Sequence, residues 1–189
     1  YTAGRFIIEL DGAASYNAHG QLTAVTNAAD ANGNRRVNTF SYYTSGSQRG
    51  MVEVMVAIGL SGGLSLSTAF EYDERGNLTR VEDPRGNDQL FTYNALDQCV
   101  TRQTQPASFG ERVKTVFHYD ANDNVVRCDL ENRGETGTLV AANPQWTALF
   151  EHDGFDRLTG VVQEITEGGG LPGKYATNQF VYDAKDNLT

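Results

Sequence analysis

The chain has 189 residues, 39% of them apolar, with nine Tyr and nine Phe against two Met and one Trp. This length suits one domain or one stretch of a repeat array, and the recurrence of aromatic and β-branched residues along it excludes a disordered chain. The formal net charge of −9 argues against nucleic acid as a partner, because backbone binding needs clustered Lys and Arg.

In chain order, the first predicted hairpin centres on Tyr16-Asn17-Ala18-His19-Gly20-Gln21-Leu22. Turn formers run from Asp30 to Asn34, and a second, worn copy follows at Phe40-Ser41-Tyr42-Tyr43-Thr44-Ser45-Gly46-Ser47-Gln48, without the acid and without the apolar end. The run from Met51 to Leu60, interrupted by Glu53 and Gly59, reads as a buried strand and is the one segment where a helix would hide. A full copy then appears, Phe70-Glu71-Tyr72-Asp73-Glu74-Arg75-Gly76-Asn77-Leu78, followed by the turn Asp83-Pro84-Arg85-Gly86. Further copies place Phe91 before Tyr93, Phe117 before Tyr119, Phe150 before His152 and Phe180 before Tyr182. Between these copies, breakers cluster at residues 105–110, 132–137 and 168–173.

The seven anchors are therefore Tyr16, Tyr42, Tyr72, Tyr93, Tyr119, His152 and Tyr182, between 21 and 33 residues apart. A fixed core with elastic gaps means a tight turn at one end of each repeat and a variable loop at the other. Phe and Tyr two apart share one face of a strand. Asp or Asn after the Tyr can accept a backbone N–H two residues on. Gly or Asp three positions later tolerates a left-handed backbone. Leu, Val or Cys then starts the return strand. Return-strand slots such as Leu78 and Val81 lie three apart, so plain alternation puts them on opposite faces. A bulge, or a sheet apolar on both faces, resolves this. The pattern predicts an all-β chain of about fourteen strands in one continuous sheet, two per repeat.

The Tyr-Asp-x-x-Gly-Asn-Leu core and the Asp-Pro-x-Gly turn resemble the YD repeat, also called the RHS repeat, over essentially the whole chain. That family includes bacterial polymorphic toxins, casing subunits of insecticidal toxin complexes and the animal teneurins. The resemblance implies a sheet that spirals into a hollow β-shell, with residues 1–189 forming one arc of a longer chain. It implies a secreted or cell-surface protein, neighbouring repeats of the same parent as partners, and an enclosed C-terminal toxin or other cargo domain. No catalytic residue carries over. Asp83-Pro84-Arg85-Gly86 is similar to the closing segment where many bacterial members cut themselves, but it sits between two good repeats and reads as a plain turn.

Other chemistry is weaker. Gly59-Leu60-Ser61-Gly62-Gly63 has nucleophile-elbow spacing, but an elbow needs a helix after the Ser and the next strand follows too soon. Asp120, Asn122, Asn124 and Glu131 have calcium-loop spacing, with Val125 where the sharp turn needs Gly. His19, His118 and His152 are scattered, and His152 stands in a Tyr slot. Cys99 and Cys128 hold apolar return-strand slots and are too few for a disulfide framework. No catalytic, metal or cofactor site is expected. No apolar run reaches membrane-spanning length, and Tyr1 begins neither a leader peptide nor an initiator Met, which reads as mature or excised material needing neighbouring chain. The leading function is structural, a shell segment. A binding module for glycan or a cell-surface partner is the alternative, and an enzyme comes third.

Overall fold

The computed structural model describes residues 13–59, 64–104, 112–134, 137–141, 145–164 and 175–189. Among these the chain is all-β, with thirteen strands and no helix. It divides into two compact units, Tyr1–Asp88 and Gln89–Thr189. The first carries β1 (Ala14–Tyr16), β2 (Leu22–Thr26), β3 (Val37–Tyr42), β4 (Val52–Ile58), β5 (Ser65–Tyr72) and β6 (Leu78–Glu82). The second carries β7 (Asp88–Tyr93), β8 (Cys99–Thr104), β9 (Val113–Tyr119), β10 (Val125–Glu131), β11 (Gln145–His152), β12 (Leu158–Glu164) and β13 (Tyr175–Gln179). Within each unit every strand pairs antiparallel with its chain neighbour, the meander that tandem hairpins require.

Thirteen strands among the described residues agree with about fourteen, the last pairing being reduced to an isolated bridge between Tyr182 and Leu188. One expectation needs correction. Within the run from Met51 to Leu60, Val52–Ile58 form a strand, β4, but its side chains are partly covered or exposed rather than buried. No apolar side chain is buried among the described residues. Each unit is one layer of sheet with water near both faces, so its apolar side chains stay only partly covered, and the buried side chains are the polar ones of Asp88, Asp129 and Asn132.

A bulge settles the question of faces. In each hairpin the register slips between the Tyr slot and the residue before it: Tyr72 lies opposite Leu78 while Glu71 lies opposite Arg80. The same slip occurs at Tyr16, Tyr42, Tyr93, Tyr119 and His152. The extra residue brings slots three apart onto one face. Leu78 and Val81 thus both stand with Tyr72 and Phe70, and Leu158 and Val161 with His152 and Phe150. Near the tight turns the opposite face carries polar pairs, with Glu71 across from Arg80, Thr92 from Thr101 and His118 from Arg127. Farther along it holds apolar residues as well, Val54, Val56 and Ile58 in β4 and Leu149 across from Val162.

Candidate functional site in the hairpin turns

The chemistry of the repeat concentrates in its turns. In residues 73–77, Asp73 N–H donates to the Asn77 carbonyl at 2.9 Å and Gly76 N–H to the Asp73 carbonyl at 3.2 Å. One oxygen of the Asp73 carboxylate accepts the N–H groups of Arg75 and Asn77 at 2.9 and 2.8 Å, and the other accepts the Asn77 amide at 3.1 Å. The fourth residue, Gly76, has φ +92°. A bond from the fourth N–H back to the first carbonyl, then a left-handed residue and a bulge, defines a type I turn with a G1 bulge. Turns beginning at Asn17, Asn94, Asp120, Asp153 and Asp183 repeat these bonds.

The same turn closes the opposite ends of hairpins at residues 30–34 and 83–87. Sequence reasoning marked both stretches as turns, without identifying them with the tight turn of the other end. The signal was present, since Asp30, Asp73 and Asp83 each precede Gly by three residues and Asn by four.

These bonds hold the turn carboxylates below their ordinary range. For Asp30 the main cause is the Asn34 backbone N–H, for Asp83 and Asp183 the side-chain amides of Asn87 and Asn187, and for Asp153 the Arg157 guanidinium. At Asp73 and Asp120 partial burial pushes upward, and the donors of the turn outweigh it.

In the second unit successive turns are tied together. Gln98 Nε2 donates to Asp123 at 2.6 Å, Asn124 Nδ2 to Asp156 at 2.7 Å and Arg157 Nη1 to Asp186 at 2.7 Å. In every case the last residue of one turn reaches the left-handed aspartate of the next. Asp123, Asp156 and Asp186 have φ of 68°, 61° and 63°. A left-handed aspartate carries a conformational cost that glycine avoids, and the inter-turn bond offsets it. Arg157 also lies over the rings of Phe155 and Tyr182, 5.4 and 4.8 Å from their centroids.

The tyrosine of the anchor slot adds a second tie. Tyr42, Tyr119 and Tyr182 donate their hydroxyls to the carbonyls of Leu22, Cys99 and Leu158 at 2.6, 2.7 and 2.9 Å. Each acceptor is the first return-strand residue of the preceding repeat, at the bulge. His152 has no hydroxyl, and its buried Nδ1 has no hydrogen-bond partner.

On the face opposite the anchor tyrosines, Asp129 is 7% exposed and accepts from Thr147 Oγ1 at 2.7 Å, Arg127 Nε at 2.9 Å and the His118 ring at 3.2 Å. Burial pushes this carboxyl up, but the three donors together hold it below its ordinary value. In the first unit, Arg80 joins Asp88 at 2.9 Å and Glu71 at 2.8 Å, and also Glu82.

The residues singled out from the sequence are placed apart. Ser61 lies outside the described residues. Asp120 and Asn124 spend their polar atoms on the turn and on Asp156. Glu131 sits at the far end of β10, bonded to Lys114 N–H and Arg133. His19, His118 and His152 fall in separate hairpins. Cys99 and Cys128 are unbridged, and burial pushes both thiols up. Among the described residues no three His, Cys, Asp or Glu side chains gather at metal-binding distance, and no helix is long and apolar enough to cross a membrane.

The pattern of the RHS Repeat family matches residues 72–109, from the Tyr72 anchor through the whole of the next hairpin. That stretch carries an RHS repeat. No curated protein sequence matches the chain. Among solved structures, the chain is similar to the crystal structure of TcdB2-TccC3-Cdc42, at 15% identity and a TM-score of 0.66. It is similar to TcdB2-TccC3 without its hypervariable C-terminal region, at 16% and 0.67. The Tc holotoxin pore of Photorhabdus luminescens gives 16% and 0.63. Each comparison covers 94% of this chain but 9% of the other, so the chain spans under a tenth of those proteins. At such identity the likeness is one of fold.

Proposed function

We propose that this RHS-repeat chain is a wall segment, one arc of an encapsulating β-shell that encloses a C-terminal toxin or other cargo domain in a secreted bacterial protein. Residues 1–189 act as a repeat segment of a longer chain, anchored at the seven Tyr-slot positions. The observation that carries this reading is a layer with no buried apolar side chain among the described residues, whose repeats are tied side to side through turns and tyrosines. Such a layer holds its extent without a core beneath it, which is what a wall around a space needs. The acids of the turns are occupied by the turns themselves, so the segment acts by excluding solvent and holding cargo rather than by catalysis.

Limited proteolysis of the intact parent tests this. The cargo domain resists cleavage while the wall is whole, and deletion of one hairpin, residues 94–119, makes it sensitive. A cargo domain cut equally fast in both proteins defeats the proposal. An activity-based serine-hydrolase probe gives no labelling that Ser61→Ala abolishes.

A further inference from the structure

The worn second repeat is the place where the turn pattern breaks. Tyr43 stands in the slot that Asp or Asn fills elsewhere, and the five-residue turn becomes a loop over residues 43–51. Its closing bonds run from Tyr43 N–H to the Met51 carbonyl at 3.0 Å and from Gly50 N–H to the Tyr43 carbonyl at 2.9 Å. Gly46 and Gly50 supply the left-handed backbone, at φ 77° and 90°.

Three bonds fix this larger loop. The Tyr43 hydroxyl donates to the Phe70 carbonyl at 2.9 Å, Gln48 Nε2 to the Tyr72 carbonyl at 3.1 Å, and Gln21 Nε2 of the first turn to the Gly50 carbonyl at 2.9 Å. The Tyr43 ring also meets Tyr72 edge-on, with centroids 6.3 Å apart. Between the first turn and this loop lies a cleft of about 620 Å³, within the first unit. Its size falls within the range of small-molecule sites. Its lining includes Tyr43, His19, Arg49, Thr44 and Ser41 and contains no Asp or Glu, although the chain has 24 acids against 15 Lys and Arg. With Tyr43 in the turn slot, this loop lacks the carboxylate that heads the turns at Asp73, Asp120, Asp153 and Asp183.

We propose that this cleft binds an acidic sugar, with the carboxylate on Arg49 and the pyranose ring against Tyr43. An aromatic side chain offers an apolar surface to the C–H face of a sugar. The guanidinium fork matches a carboxylate, and the hydroxyls of Ser41 and Thr44 suit ring hydroxyls. A loop already fixed by its own bonds loses little entropy on binding. The inference is independent of the wall reading, since a wall segment needs no such cleft.

Ligand-observed NMR and calorimetry on the full chain test it, with N-acetylneuraminic acid and glucuronate as acidic probes, glucose as the neutral one and acetate as the bare anion. At least one acidic sugar binds saturably and at least about tenfold more tightly than both glucose and acetate, a difference of about 1.4 kcal/mol. Arg49→Gln, an exposed loop position, leaves the fold unchanged by circular dichroism and removes the preference for the acidic sugar over glucose. No saturable binding of either acidic probe overturns the proposal. So does acetate binding as tightly as the sugars, or a preference that survives Arg49→Gln.

Discussion

Tyrosine in the anchor slot does two things, and only one was legible in the sequence. The Phe-x-Tyr spacing showed that its ring shares a face with Phe. The hydroxyl bond to the preceding repeat was not legible, because its acceptor is a main-chain carbonyl that the bulge exposes. Two substitutions follow. Tyr119→Phe leaves the Cys99 carbonyl without its donor and lowers unfolding free energy by about 1 kcal/mol. His152→Tyr supplies the missing hydroxyl, removes an imidazole nitrogen with no partner, and raises stability by about the same amount. Urea denaturation of the two variants against the parent sequence measures both, and a neutral or destabilising His152→Tyr counts against the tyrosine tie. The turn carboxylates set the acid limit. Their values are depressed from the ordinary 3.8, so folding binds them in the ionised form. Their contribution is complete above that value and is lost as pH falls below it, through the depressed values of the folded state. NMR titration of the Asp73 and Asp83 carboxyl carbons shows midpoints below those of the unfolded chain. Asn17 and Asn94, which head two of the turns, have no carboxyl to titrate.

The hairpin as an element was readable almost slot by slot, because each slot answers a local demand of the backbone. Asp or Asn caps the turn, Gly or Asp takes the left-handed position, and an apolar residue starts the return. What local reasoning left open was the pair of apolar slots three apart, and the bulge at Val125 and Arg127 decides it. The reason Asp123, Asp156 and Asp186 replace glycine also lay beyond reach, since it depends on the turn next door. Asp156→Gly therefore eases its own turn but releases Asn124. Amide hydrogen exchange rises in residues 120–124 and not only around position 156, and exchange unchanged at 120–124 would deny the inter-turn tie. At Gly76 the demand is for glycine. Its φ is +92°, and an added Cβ would lie 2.7 Å from the Met51 methyl. Gly76→Ala costs about 1 kcal/mol or more, read from the thermal midpoint.

At the scale of the molecule the decisive property is an absence of depth. A modest apolar share suits a layer with two wet faces, and the described residues contain no buried apolar side chain. The Tyr–Phe face and its opposite are nonetheless distinct near the turns, which the sequence did not separate because the bulges shift alternation midway through each hairpin. Repeats of this kind gain stability from their neighbours more than from themselves. The chain expressed alone is therefore expected to self-associate or to melt without sharp cooperativity. A monomer in the analytical ultracentrifuge with one cooperative transition would contradict that. The departures from the repeat mark other roles, His152 as a gap in the tyrosine ties and the loop at Tyr43 as a cleft.

The most direct test of the wall reading is a cryo-electron microscopy structure of the intact parent polypeptide. The account predicts that the hairpins of this segment continue into further repeats around a closed chamber holding another domain of the same protein or complex. A solid packing of this sheet against a second layer, with no space for a domain inside, would contradict it.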